Sequence, residues 1–302
     1  MLLFLVLAGF LPVTGNAPAL NYSPEPESTD YASGIPVLTY HQITMNQSKY
    51  SVTPFKLRDD MRRLFDAGFF LILPEDIEDG LSRIPFDRRP LMITFDDGWE
   101  DNFRYIEQPG GNLVLDPNCA LAIVNSFLEE NPDFGRGVVF NISWDKVPFG
   151  SRTEEKLNTL LDMGHSIGNH SEDHRSFMSI PTALFPAQVI PALDSFHRNL
   201  GLRVSEINTL AYPGGRLPAG VNAEQSLSSL EYRNRPAVIQ GYLADGAVSS
   251  FRRIFESGNL AEYRISRIDM ALYSIPMLLG WRNLMIDSRS RDSLHDDLPW
   301  RP

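Results

Sequence analysis

An unbroken apolar run, Pro90-Leu91-Met92-Ile93-Thr94-Phe95, passes straight into Asp96-Asp97-Gly98. The run reads as a buried strand. Two adjacent carboxylates at its end are costly unless something neutralises them, and the glycine permits a tight turn directly after them. Folds that tolerate this gather charged groups at the C-terminal ends of parallel strands, where α/β proteins place their active sites.

The same pattern recurs along the chain. Residues 35–40 form a short apolar run ending in Tyr40-His41. Residues 53–68 read as a helix, capped by Thr53, with Pro54 in its first turn and Phe55, Met61, Leu64 and Phe65 on its apolar side. Further strands are expected at 69–73, 137–142, 165–170 and 207–211, with weaker ones near 238–242 and 263–269. Further helices are expected at 75–81, 119–130, 152–163 and 188–200, the last two ended by Gly164 and Gly201. Residues 107–117, with their Gly and Pro, read as a loop. Alternating strands and helices argue for an α/β fold with parallel strands and crossover helices, and no internal linker divides it.

The 302 residues carry 27 Lys and Arg against 38 Asp and Glu, a net charge of −11. That balance lacks the basic footprint of a nucleic-acid-binding protein. Cys119, the single cysteine, cannot form an internal disulfide and sits in an apolar helical stretch as a small core side chain. The apolar run from Met1 to Leu11 is too short to cross a membrane and suits the core of a signal peptide. Residues 1–17 are therefore expected to be a signal peptide and 18–34 a linker. Residues 35–286 are expected to form the folded domain, and 287–302 a polar tail. Export follows, with no integral membrane segment in the mature chain.

Three polar clusters carry the chemistry. Thr94-Phe95-Asp96-Asp97-Gly98 places a carboxylate where a cation would relieve the repulsion, with its neighbour ionised and able to accept a proton from water. His170-Ser171-Glu172-Asp173-His174 offers two imidazoles at i and i+4, which face the same way if the segment is helical. One carboxylate and two imidazoles make three protein ligands and leave positions open for water and substrate, the catalytic type of site. Tyr40-His41 follows the first strand, and His41 can protonate a leaving amine or alcohol if it reaches the site. Trp99 and Trp144, each after a strand, could stack on a sugar ring or pack in the core. Asn21, Asn46, Asn141 and Asn169 each stand in an Asn-x-Ser sequence.

With these residues in view the chain resembles the polysaccharide deacetylases, the family sharing the NodB homology domain (carbohydrate esterase family 4). Residues 94–98 are similar to that family's first motif, Gly168-Asn169-His170-Ser171-Glu172-Asp173-His174 to its second, and Leu210-Ala211-Tyr212-Pro213-Gly214-Gly215 to its third. The Tyr-His pair resembles the branch that de-N-acetylates poly-N-acetylglucosamine, and the likeness covers about residues 35–272. The resemblance implies a distorted (β/α) barrel of about seven parallel strands. It implies Asp96 as general base, Asp97, His170 and His174 as ligands to one divalent ion (zinc being the expected one), a bound water as nucleophile and His41 as general acid. It also implies that the segment Tyr212, Pro213, Gly214 binds substrate, its backbone helping to hold the oxyanion.

Two departures stand out. The third motif usually carries an arginine where this chain has Ala211, and Arg267, in Ser266-Arg267-Ile268-Asp269, is the candidate to orient the base in its place. The late Leu-x-His motif is missing, which leaves His41 as the acid. The expected activity is hydrolysis of a carbon–nitrogen, non-peptide bond: removal of acetyl groups from an N-acetylated or O-acetylated glycan. The alternatives are a glycan-binding relative without turnover and a hydrolase of small amides.

Overall fold

The structure is a computed structural model describing residues 34–281, apart from 47, 86, 218–221, 251–253 and 256–259. The expected signal peptide, the linker up to residue 33 and the polar tail lie outside the described residues. Eight strands form the main sheet: β1 (Val37–Tyr40), β2 (Phe69–Leu71), β3 (Arg89–Phe95), β4 (Val139–Ile142), β5 (Ser166–Asn169), β6 (Thr209–Ala211), β7 (Gln240–Tyr242) and β8 (Ile268–Asp269). Seven run in the order β7-β6-β5-β4-β3-β1-β8, and β2 pairs with the start of β3. Every pairing is parallel.

The curled sheet is drawn together by one short segment. Ile265 bridges to Tyr242 beside β7, while Ile268 and Asp269 pair with Leu38 and Thr39 of β1. Arg267 sits between these attachments, at the seam of the expected distorted (β/α) barrel.

Side chains alternate between the two faces of each strand. Leu38, Tyr40, Ile93, Phe95, Phe140 and Ile142 belong to the large core shared with the surrounding helices. The alternate residues Val37, Met92 and Val139 join Tyr242, Leu73 and Ile77 in a second apolar cluster that forms the barrel floor. Two residues further along these strands the side chains are Thr39, Thr94 and Asn141, all buried. One step beyond Thr94 on the same face stands Asp96. The barrel interior therefore passes from apolar to polar to charged toward the C-terminal strand ends.

Helices α1 (Pro54–Asp66), α2 (Pro74–Glu78), α3 (Ala120–Glu130), α4 (Thr153–Asp162) and α5 (Pro186–Leu200) fall where expected. Thr53 Oγ1 accepts the Lys56 N–H at 3.1 Å, capping α1. Leu57, Met61 and Leu64 bury the inner face of α1, each burial stabilising by about 1.5–3 kcal/mol. Phe55 does not belong to that face: it is 69% exposed, because position 55 projects away from the 57/61/64 stripe. The expected loop at 107–117 instead contains part of a hairpin, Tyr105–Glu107 against Leu113–Leu115. Gly110 and Gly111, both at positive φ, supply its turn. Two short helices, α6 (Ala223–Ser228) and α7 (Ile275–Leu279), were not expected. Cys119 is buried beside α3. Among the described residues no helix is long and apolar enough to cross a membrane.

Candidate active site

The three expected ligands converge. Asp97 stands just past β3, His170 just past β5 and His174 four residues later, with one ligand atom from each lying within 4.8 Å of the others. His174 Nε2 is 2.9 Å and His170 Nε2 3.4 Å from Asp97 Oδ1, and the two Nε2 atoms are 3.2 Å apart. Asp97 Oδ1 is buried, yet neither imidazole is aimed at it as a hydrogen-bond donor. Three electron-pair donors facing one point, one of them a buried oxygen without a partner, fit a divalent cation.

The surroundings fit as well. His170 Nδ1 lies 2.8 Å from the carbonyl oxygen of Ala211, which requires Nδ1–H and leaves the Nε2 lone pair free, the usual support for a metal-binding imidazole. Trp99 Nε1 donates to Asp97 Oδ2 at 2.8 Å. Burial opposes a charge on Asp97, but the neighbouring imidazoles of His170, His174 and His41 outweigh it and hold the carboxyl well below the usual carboxylate range.

The His-x-x-x-His spacing does not work through a helix. His170 ends a strand, and the chain turns with Ser171 and His174 at φ 75° and 54°. Asn169 Oδ1 accepts the Ser171 N–H at 2.8 Å and Ser171 Oγ accepts the His174 N–H at 3.0 Å. Short polar side chains thus substitute for helical hydrogen bonds in bringing the imidazoles together.

Asp96 points into the polar belt. Its Oδ1 accepts from Arg267 Nη1 at 2.7 Å and from Asn141 Nδ2 at 2.8 Å. The same guanidinium reaches Thr94 Oγ1 at 3.2 Å and Thr39 Oγ1 at 3.3 Å, while its Nε donates to the Leu243 carbonyl at 2.8 Å. Burial alone would raise the Asp96 pKa. The Arg267 charge, helped by His170 and His41, overrides burial and keeps the group ionised. Arg267 thus arrives from the barrel seam at the carboxylate that Ala211 cannot reach.

A cleft of about 440 Å³ opens over these groups, lined by His41, Asp96, Asp97, His170, His174 and Gly214 among others. The His41 ring lies 5.6 Å from that of Tyr50, and Asn102 Nδ2 donates to the His41 carbonyl at 2.7 Å. The Tyr212 ring is wholly buried, its hydroxyl donating to the Tyr263 carbonyl at 2.7 Å. The Tyr212 N–H continues the sheet, bonded to the Tyr242 carbonyl at 3.0 Å. Pro213 has no N–H, so the first amide after the strand on this cleft wall is that of Gly214. Trp144 packs edge-on against Phe196 at 5.1 Å and belongs to the core periphery.

Two contributions were missed in the sequence. Asn141, which in the sequence stands out only for its Asn-x-Ser setting, is buried against Asp96, and Asn169 is buried too. The inward register of β4, two residues beyond Val139, was the signal for Asn141. The Trp99 N–H was the other, with no signal beyond its place two residues after Asp97.

This is the fold of the polysaccharide deacetylases. The chain is similar to the deacetylase PplD of Streptococcus pyogenes, solved with acetate: TM-score 0.59, 18% identity, over 83% of this chain and 99% of that one. It is similar to a polysaccharide deacetylase of Bacillus cereus: TM-score 0.60, 14% identity, over 83% and 69%. It is also similar to IcaB of Ammonifex degensii: TM-score 0.57, 16% identity, over 83% and 98%. No family model and no curated protein sequence matches the chain.

Proposed function

We propose that this protein is a metal-dependent hydrolase that removes acetyl groups from an N-acetylated (or O-acetylated) polysaccharide or oligosaccharide. The observation that carries the reading is the joint placement, in one cleft, of a paired buried carboxylate and a separate Asp-His-His triad. The fold shared with deacetylases supports it.

Asp97 Oδ1, His170 Nε2 and His174 Nε2 would hold the ion. A divalent metal there, zinc being our expectation, lowers the pKa of water and polarises a carbonyl. Asp96, kept ionised by Arg267 and oriented by Asn141, accepts the proton of the attacking water. The Gly214 N–H, on the cleft wall beside the buried Tyr212 and Pro213, would donate to the negative charge that develops on the acetyl oxygen. His41 across the cleft donates a proton to the leaving nitrogen or oxygen. The absent motif arginine and late histidine are the features that suit a glycan-binding relative without turnover; the Arg267–Asp96 contact and the joined Asp97, His170 and His174 favour the hydrolase. We further propose that the chain is exported, on the strength of its N-terminal apolar run, and that residues 35–286 form its catalytic domain.

The test is acetate release from a panel of N- and O-acetylated glycans by protein reloaded with zinc, cobalt or manganese, with products read by mass spectrometry. Release from N-acetylglucosamine oligomers is expected. No release from any member with any ion would overturn the reading.

A further inference from the structure

Trp99 is engaged twice in ways a sugar-stacking role does not require. Its indole N–H is committed to Asp97 Oδ2 at 2.8 Å. Lys146 Nζ stands over its ring, 4.7 Å from the centroid, and is held in turn by Asp145 at 2.9 Å.

The local backbone keeps the indole in place. Asp97 and Gly98 both take positive φ, 76° and 68°, and this tight turn brings residue 99 back beside the carboxylate two positions earlier. A side chain at 98 would be strained at that φ, and its Cβ would lie 3.2 Å from Ile142 Cδ1. The Gly98 carbonyl accepts the Phe149 N–H at 2.8 Å and the Trp99 carbonyl accepts the Asn102 N–H at 3.0 Å. Asn102 is tied to the His41 backbone, so the turn is anchored at both ends.

The two oxygens of Asp97 are therefore unequal. Oδ2 is occupied by a strong, short donor, while Oδ1 is buried, lacks a hydrogen-bond partner and faces both imidazoles. We propose that Trp99 is a positioning residue: by holding Oδ2 it restricts Asp97 to binding the ion through Oδ1 alone. A carboxylate free to bind through both oxygens would occupy one more coordination position, which a hydrolytic centre needs for water or substrate. The inference rests on the metal-site reading above.

The test uses the full chain, stripped of metal and titrated with zinc and cobalt against a chromophoric chelator. Wild type is compared with Trp99→Phe and with a protein carrying 3-benzothienylalanine at position 99, an isostere in which sulfur replaces the indole N–H. The isostere preserves the ring contacts of the metal-free protein, so it reports on the N–H even if Trp99→Phe fails to fold. Wild type should bind one ion. The isostere should lose about 10- to 100-fold in affinity, the usual effect of removing such a supporting hydrogen bond. Its cobalt visible bands should weaken as the coordination number rises. An isostere with wild-type affinity and an unchanged cobalt spectrum overturns the role of Trp99 and leaves the metal site standing. A wild-type protein that binds no ion overturns both.

Discussion

Arg267 Nη1 lies 2.7 Å from Asp96 Oδ1, and both side chains are almost fully buried although 171 positions separate them in the chain. Breaking a buried pair by removing one partner leaves an uncompensated charge and costs about 3–5 kcal/mol. Arg267→Met should lose stability on that scale in urea unfolding, and adding Asp96→Asn should recover part of the loss. The guanidinium lowers the Asp96 pKa against the effect of burial. Its removal should therefore move the acid limb of the rate–pH profile to higher pH. Arg267→Lys should retain more activity than Met, but less than wild type, because one ammonium cannot span Asp96, the two threonines and the Leu243 carbonyl. An acid limb that stays in place in Arg267→Met would count against the positioning of the base by this residue.

On the proposed mechanism, base and ligand roles should separate under mutation. Asp96→Asn should lower turnover by about 10²- to 10⁴-fold, the usual contribution of a general base, while the protein still takes up one ion. His170→Ala should lose both. Metal uptake can be followed by thermal shift, since a ligand at 100 times its Kd stabilises the folded state by about 2.7 kcal/mol. A metal-dependent rise in melting temperature that persists in His170→Ala would remove that residue from the ligand set.

Gly168 is a tight point beneath the site. A Cβ there would lie 2.1 Å from Asn141 Oδ1 and 2.9 Å from Thr209 Oγ1. Gly168→Ala should destabilise by about 1–3 kcal/mol through overpacking and should slow turnover by displacing Asn141 from Asp96. Calorimetry with a steady-state assay checks both, and wild-type behaviour in each would show that the Asn141 contact is dispensable.

His165 gives the fold a dependence on acid. Its Nδ1 accepts the Val138 N–H at 3.2 Å and its Nε2 lies 2.8 Å from Asn125 Oδ1, contacts that suit the neutral Nε2–H tautomer. Burial holds its pKa down, from 6.5 to about 4. Between those values the unfolded chain binds the proton more tightly than the folded one. The stability contribution is therefore complete above pH about 6.5 and declines as pH falls toward 4, by up to about 3 kcal/mol. Urea unfolding at pH 7 and pH 4.5 should show this loss shrinking in His165→Gln. An equal loss in both proteins would assign the acid sensitivity elsewhere.

Much of this molecule could be read directly from its residues. The apolar run into Asp96-Asp97, the alternation of strands with amphipathic helices and the Thr53 cap are local patterns, and local patterns survive in sequence because strand alternation and helical periodicity act over a few neighbours. The clustering of Asp97 with His170 and His174 was also legible, since each follows an apolar strand and parallel strands bring their C-terminal ends together. Tertiary structure alone decided the rest. The turn that joins the two imidazoles depends on positive-φ residues and side-chain hydrogen bonds that the i, i+4 spacing does not distinguish from a helix. The partners of Asp96 are set by register and by the barrel seam: Asn141 faces inward on β4, and Arg267 crosses from the far end of the chain. An ion pair between residues so distant leaves no periodic trace in either segment, because its energy depends on burial and geometry that exist only after the strands have closed around it.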